Sequence, residues 1–130
     1  MITVLDASAA IEIVFQRKYS EKLAESLLNS DVVLAPHLYI SEVTNVFWKY
    51  HSFADLSFRD CENRLDQAIA LPDNFIDEID IFHEAFKLSC TVNHSVYDML
   101  YLVIARRNNG TLLTMDNKLI KIARKLSIDV

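Results

Sequence analysis

The sequence predicts an α/β sandwich in which a mainly parallel central sheet is flanked by helices. Three observations carry that expectation. Short, mainly apolar runs at Ile2–Leu5, Val32–Ala35 and Thr111–Met115 match strands buried on both faces, the kind parallel sheets contain. Segments with helical apolar spacing lie between them. The connections are too long for hairpins alone, so strand and helix alternate. At 130 residues the chain reads as a single domain, residues 1–130, with room for a proper core.

Taken in order, Ile2–Leu5 is the first strand, and Asp6 closes it and opens a helix running to about Gln16. Tyr19–Asn29 is amphipathic, with Leu23, Leu27 and Leu28 opposite Glu21, Lys22 and Glu25. Val32–Ala35 is a second strand, closed by Pro36. His37 to about His51 is helical; Leu38, Glu42 and Val46 share one face, and Tyr39, Val43 and Phe47 widen its apolar stripe. Leu56–Leu71 is a further helix, and Phe75-Ile76 a short strand. Asp77 to about Thr91 is expected as one helix whose core stripe is Ile79, Phe82, Ala85, Phe86 and Ser89. Ser95–Arg107 is the most hydrophobic helix. Asn108-Asn109-Gly110 turns into the strand Thr111–Met115, Lys118–Leu126 is the last helix, and Ile128–Val130 a small final strand.

Composition narrows the function classes. A hydrophobic fraction of 52% with 24% charged residues is that of a soluble globular chain. No apolar run approaches the roughly 20 residues that span a bilayer. Met1–Asp6 lacks the basic region and long apolar segment of a signal peptide, so a cytoplasmic location is expected. Cys61 and Cys90 stand alone, outside any metal or redox spacing. The net charge of −5 argues against a protein whose whole surface grips nucleic acid. Arg106, Arg107, Lys118, Lys121, Arg124 and Lys125 cluster in the C-terminal part. A solvated helix face with a dipole-favoured pair explains them better than an RNA track.

Four acids need explaining, because carboxylates rarely enter apolar surroundings unpartnered. Asp6 and Asp116 each end an apolar strand, and so lie on the rim where open parallel sheets bind ligands. Asp98 falls in the first turn of the most hydrophobic helix, and Glu42 sits on an otherwise apolar helix face. Each has an ordinary explanation. Asp6 and Asp116 suit helix N-caps, Ser95-Val96-Tyr97-Asp98 matches a capping box, and Glu42 could reach solvent or pair with Lys49. Placed where they could converge, the four are harder to dismiss together. Unit charges about 4 Å apart repel by roughly 4 kcal/mol at an effective dielectric near 20. Converging carboxylates would therefore protonate or hold a cation. No His or Cys joins them in ligand spacing, so an all-oxygen set points to Mg²⁺ or Mn²⁺, which bind phosphate oxygens and acidify a bound water.

The segments Val4-Leu5-Asp6-Ala7-Ser8-Ala9, Ser41-Glu42-Val43-Thr44-Asn45, Tyr97-Asp98-Met99-Leu100-Tyr101-Leu102 and Leu113-Thr114-Met115-Asp116 resemble, in that order, the motifs of PIN-domain nucleases. In size and layout the chain looks like the single-domain VapC-type toxins of prokaryotic toxin–antitoxin pairs. The resemblance implies a PIN-like α/β/α sandwich and a pocket of Asp6, Glu42, Asp98 and Asp116 holding one or two Mg²⁺ or Mn²⁺ ions. It implies RNA hydrolysis by metal-activated water. Asp6 and Asp98 would be the principal ligands, with Glu42 and Asp116 binding metal directly, through water, or positioning the nucleophile. Ser8, Thr114 and Asn45 would line the pocket behind the ligands. A homodimer silenced by a small antitoxin protein is implied as well. Two other readings compete: a catalytically silent PIN-fold interaction module, and a phosphatase using Asp6 as covalent nucleophile, which Ser8 disfavours because such enzymes resemble Asp-x-Asp here.

Overall fold

A computed structural model describes all residues, 1–130. Four strands, β1 (Ile2–Leu5), β2 (Val32–Pro36), β3 (Asn74–Ile76) and β4 (Thr111–Leu113), form one sheet in the order β3-β2-β1-β4. Every pairing is parallel, with Thr3 opposite Val33 on one side and Thr111 on the other. The chain therefore walks outward from β1 through β2 to β3, then returns to the far side of β1 as β4. The crossing point lies between β1 and β4, and open α/β sheets bind ligands at such a switch point, beyond the carboxyl ends of the strands. Asp6 leaves β1 there, and Thr114 to Asp116 leave β4 there.

Helices fill each crossover. α1 (Ala7–Val14) and α2 (Ser20–Leu28) join β1 to β2; α3 (Leu38–Phe53) and α4 (Phe58–Ile69) join β2 to β3. α5 (Phe82–Val92) and α6 (Val96–Arg107) join β3 to β4, and α7 (Asn117–Lys125) follows β4. The core lies between the sheet and these helices. Val4, Leu5, Ala35 and Leu112 are fully enclosed, as is nearly every residue from Met99 to Ala105. That continuous burial makes α6 the central helix, and whatever it presents at its first turn is held rigidly. Gly110 is required by a close approach: a β-carbon there would sit 2.9 Å from the Ile2 carbonyl oxygen.

Three expectations need correction. The single helix expected from Asp77 breaks into a 3₁₀ turn, Glu78–Asp80, and α5, because Ile81 leaves helical geometry at φ −132°. Asp77 caps that turn by accepting from the Ile79 amide. The helix face consequently rotates: Ile81, Ala85, Leu88 and Ser89 are buried, whereas Ile79, Phe82 and Phe86 are exposed. The small final strand reduces to one bridge between Thr111 and Asp129. The last apolar strand stops at Leu113, since Thr114 turns its hydroxyl away from the ladder toward Asp6.

Candidate active site

One cleft over the switch point is lined by Asp6, Glu42, Asp98 and Asp116 together with Ser8 and Asn45, and encloses about 530 Å³. Thr114 lies beneath it, bonded to Asp6. Glu12, Arg17 and Lys49 line it as well. Sequence reading passed over Glu12, although it lies one helical turn beyond Ser8 and thus on the same face of α1.

Asp6 is the innermost acid, 7% exposed. It stands at the N-cap of α1 yet makes no side-chain capping bond. Instead its Oδ2 accepts from the hydroxyls of Thr114 (2.6 Å) and Ser8 (2.7 Å). Those hydroxyls are themselves fixed: the Met115 amide donates to Ser8 Oγ at 2.9 Å and the Asp116 amide to Thr114 Oγ1 at 3.0 Å. Burial pushes the Asp6 carboxyl above its usual range; the two hydroxyls oppose the rise and the Asp98 charge adds to it.

Glu42 has no ion pair with Lys49. Its Oε1 accepts from the Tyr101 hydroxyl at 2.5 Å, reaching from α3 to α6. Burial raises its carboxyl to about 7, with Asp6 and Asp98 contributing and the Tyr101 bond opposing. Tyr101 is fully enclosed, and burial together with the Asp6 and Glu42 charges drives its phenol far above the ordinary value, so it stays a donor. Tyr39, also fully enclosed, is raised by burial and the Asp6 charge and donates to the Ala68 carbonyl at 2.6 Å.

Asp98 is not the acid of a capping box. Ser95 caps α6 by accepting from the Tyr97 amide, while the Asp98 carboxylate turns to His94, whose Nε2 donates to Oδ2 at 2.6 Å. The i, i+4 spacing of His94 and Asp98 was visible in sequence, but His94 precedes the helix and only the fold shows that the two meet. Asp116 does cap α7: Oδ1 accepts from the amides of Lys118 and Leu119. Asn45 is exposed on the cleft side of α3.

The family model for the PIN domain matches residues 3–125. The chain belongs to the PIN domain family. PIN domains are generally nucleases and generally use divalent metals. Among solved structures, this PIN domain is similar to PAE2754 from Pyrobaculum aerophilum, with a TM-score of 0.76 and 18% identity over 94% of this chain and 79% of that one. At that identity the likeness shows the fold alone. No curated protein matches the chain.

The donor set fits a hard cation in chemistry while ringing the cleft more widely than a closed ligand cage. No three acidic, His or Cys side chains stand close enough to hold one ion together. Bare carboxylates at ligand distance would repel by several kcal/mol. The protein instead ties one oxygen of each: Asp6 to Ser8 and Thr114, Glu42 to Tyr101, Asp98 to His94, and Asp116 to the start of α7. The second oxygen of each has no side-chain partner, and no unpartnered polar side-chain atom is fully buried. Carboxylates oriented through one oxygen, with no side-chain partner on the other, are arranged as metal ligands with supporting partners are.

Proposed function

We propose that this PIN domain is a Mg²⁺- or Mn²⁺-dependent endoribonuclease, the toxin of a toxin–antitoxin pair of the VapC type. The observation that carries the reading is the set of carboxylates lining one cleft at the sheet switch point, each fixed through one oxygen with no side-chain partner on the other. Asp6 and Asp98 would be the principal ligands, with Glu42 and Asp116 completing the set. A bound divalent ion would supply Lewis acidity toward a phosphate oxygen and a water acidic enough to attack phosphorus.

The chain's own residues do the rest. Ser8 and Thr114 hold Asp6 so that its free oxygen points one way, which spares reorganisation when a cation arrives. Tyr101 fixes Glu42, so that its carboxylate is oriented to bind the ion directly or through water, or to position the attacking water. His94 fixes Asp98 across the first turn of α6. Purified protein should cut RNA with Mn²⁺ and stop with chelator, and Asp98→Asn should abolish cutting while circular dichroism stays unchanged. Equal cutting by that variant would refute the assignment. Expression of wild type beside Asp98→Asn, scored for growth arrest and its relief by a small antitoxin co-expressed from the neighbouring reading frame, tests the toxin role. A homodimer in a cytoplasmic setting belongs to the same proposal, and sedimentation tests it.

One observation favours a second reading, a PIN-fold module that binds partners without catalysis: the carboxylates do not close on a common point. Calorimetry decides between them. Heat of Mn²⁺ binding that Asp6→Asn removes supports the nuclease; none at millimolar metal supports the silent module.

A further inference from the structure

We propose that Arg17 and Lys49 form a clamp for the backbone phosphates of single-stranded RNA in this cleft. The inference rests on the nuclease reading of the same site and adds the residues that bring substrate to it.

Five carboxylates line the cleft and only two cations do, Arg17 and Lys49. A polyanion entering such a cleft meets repulsion everywhere except beside those two. Neither cation is consumed by an acid. The ion pairs of the structure are the N-terminus with Asp31, His94 with Asp98, and Arg106 and Arg107 with Glu84. Arg17 and Lys49 stay unpaired although Glu12 and Glu42 line the same space. The C-terminal basic cluster offers no substitute: Arg106 and Arg107 are held by Glu84, and none of its six residues lines the cleft.

Arg17 is kept away from the acids by construction. The chain leaves α1 through a left-handed residue, Gln16 at φ 51°, a conformation that costs a non-glycine residue about 1 kcal/mol or more. The Gln16 amide donates to the Ile13 carbonyl and the Arg17 amide to the Glu12 carbonyl, the paired closure of a Schellman turn. Glu12 Oε2 accepts from the Tyr19 amide at 3.1 Å, which pins the far side of the loop. The guanidinium is thereby laid over the Phe15 ring, 4.8 Å from its centroid, and near Tyr50, 5.8 Å away. It also donates to the Tyr50 hydroxyl. That bond uses one of five N–H donors and leaves the others for a phosphate.

The second cation, Lys49, enters the same cleft from α3. Lys49, Asn45 and Glu42 line the cleft from the same helix. A planar, oriented guanidinium and a flexible ammonium in one cleft suit the phosphates of a flexible strand.

The test is anisotropy titration of a labelled single-stranded RNA, in EDTA so that nothing is cut, at about 50 to 200 mM salt. Replacing Arg17→Gln with Lys49→Gln should weaken binding about tenfold and flatten the slope of log K against log salt by roughly 1.4, near 0.7 per lost phosphate contact on a single strand. Mn²⁺ affinity by calorimetry should hold or rise, since two positive charges leave the cleft, and in cleavage the double variant should raise KM more than it lowers kcat. If the double variant melts early, Lys49→Gln alone, at an exposed side chain, should flatten the slope by roughly 0.7. Unchanged affinity and slope, or a wild type that binds no RNA, overturns the clamp. Because the titration omits metal, it stands apart from the nuclease reading: RNA binding that depends on both cations without Mn²⁺ binding or cleavage would uphold the clamp and refute the nuclease.

Discussion

Removing the charge of Glu42 should stabilise the metal-free protein, and do so only above acidic pH. Glu42→Gln keeps the shape and an acceptor for the Tyr101 hydroxyl. The wild-type carboxyl titrates near 7 in the folded chain against an ordinary 4.5, chiefly through burial. A raised acid is favoured in its protonated form by folding, so this group adds no penalty below about pH 4.5. The penalty grows as pH rises and is complete above about 7. At roughly 1.4 kcal/mol per pH unit, the full difference is about 3.5 kcal/mol; water on the open side of the cleft screens part of it, leaving about 2 kcal/mol. Urea unfolding in EDTA should therefore place the variant's midpoint about 1 M above wild type near pH 8, for a slope near 2 kcal/mol/M. Near pH 5 the two midpoints should fall within a few tenths molar. Saturating Mn²⁺ should then raise wild type more than the variant, because only wild type gains the ligand's binding energy in full. An advantage equal at both pH values, or absent near pH 8, would refute the account of Glu42 as a strained acid held for a cation.

The other carboxylates give further expectations. Thr114→Val removes a hydroxyl that lowers the Asp6 carboxyl, so it should destabilise by about 1 to 3 kcal/mol at neutral pH and less as pH falls and Asp6 protonates, again read by urea midpoints. His94→Ala should weaken Mn²⁺ binding by about 10-fold to 100-fold in calorimetry, with His94→Gln recovering part of it through its amide donor. An unchanged Mn²⁺ affinity would show that Asp98 needs no orienting partner. Gly110→Ala should cost about 1 to 3 kcal/mol in thermal unfolding, since the new methyl meets the Ile2 carbonyl.

Much of this molecule is legible from residue order because apolar periodicity depends on local geometry. β1, β2 and α6 follow from runs that only buried strands or a buried helix can satisfy. The same logic failed at Asp77–Thr91. Spacing alone cannot tell that Ile81 leaves the helix, and one such break rotates every later side chain, which is why Phe82 and Phe86 face out. The four acids stood out because carboxylates beside apolar runs need partners, but which partner each has was not readable. Capping explains Asp116 and fails for Asp6 and Asp98, and the choice was made by Thr114, 108 residues from Asp6, and by His94.

The sequence by itself determined the parallel α/β class, the buried strands and helix, and the short set of acids that needed partners beside apolar runs. Tertiary structure decided what those acids touch. The strand order β3-β2-β1-β4 puts Asp6 and Asp116 on either side of one crevice, and the packing of α3 and α6 over it brings Glu42 to Tyr101 and Asp98 to its edge. It also chose Arg17 and Lys49 as the cations of the cleft over six others that a linear reading had marked. The physical reason is range. Burial and periodicity act over a few residues and are written locally, whereas electrostatic partnership depends on distances of a few ångströms between segments that only the folded chain brings together.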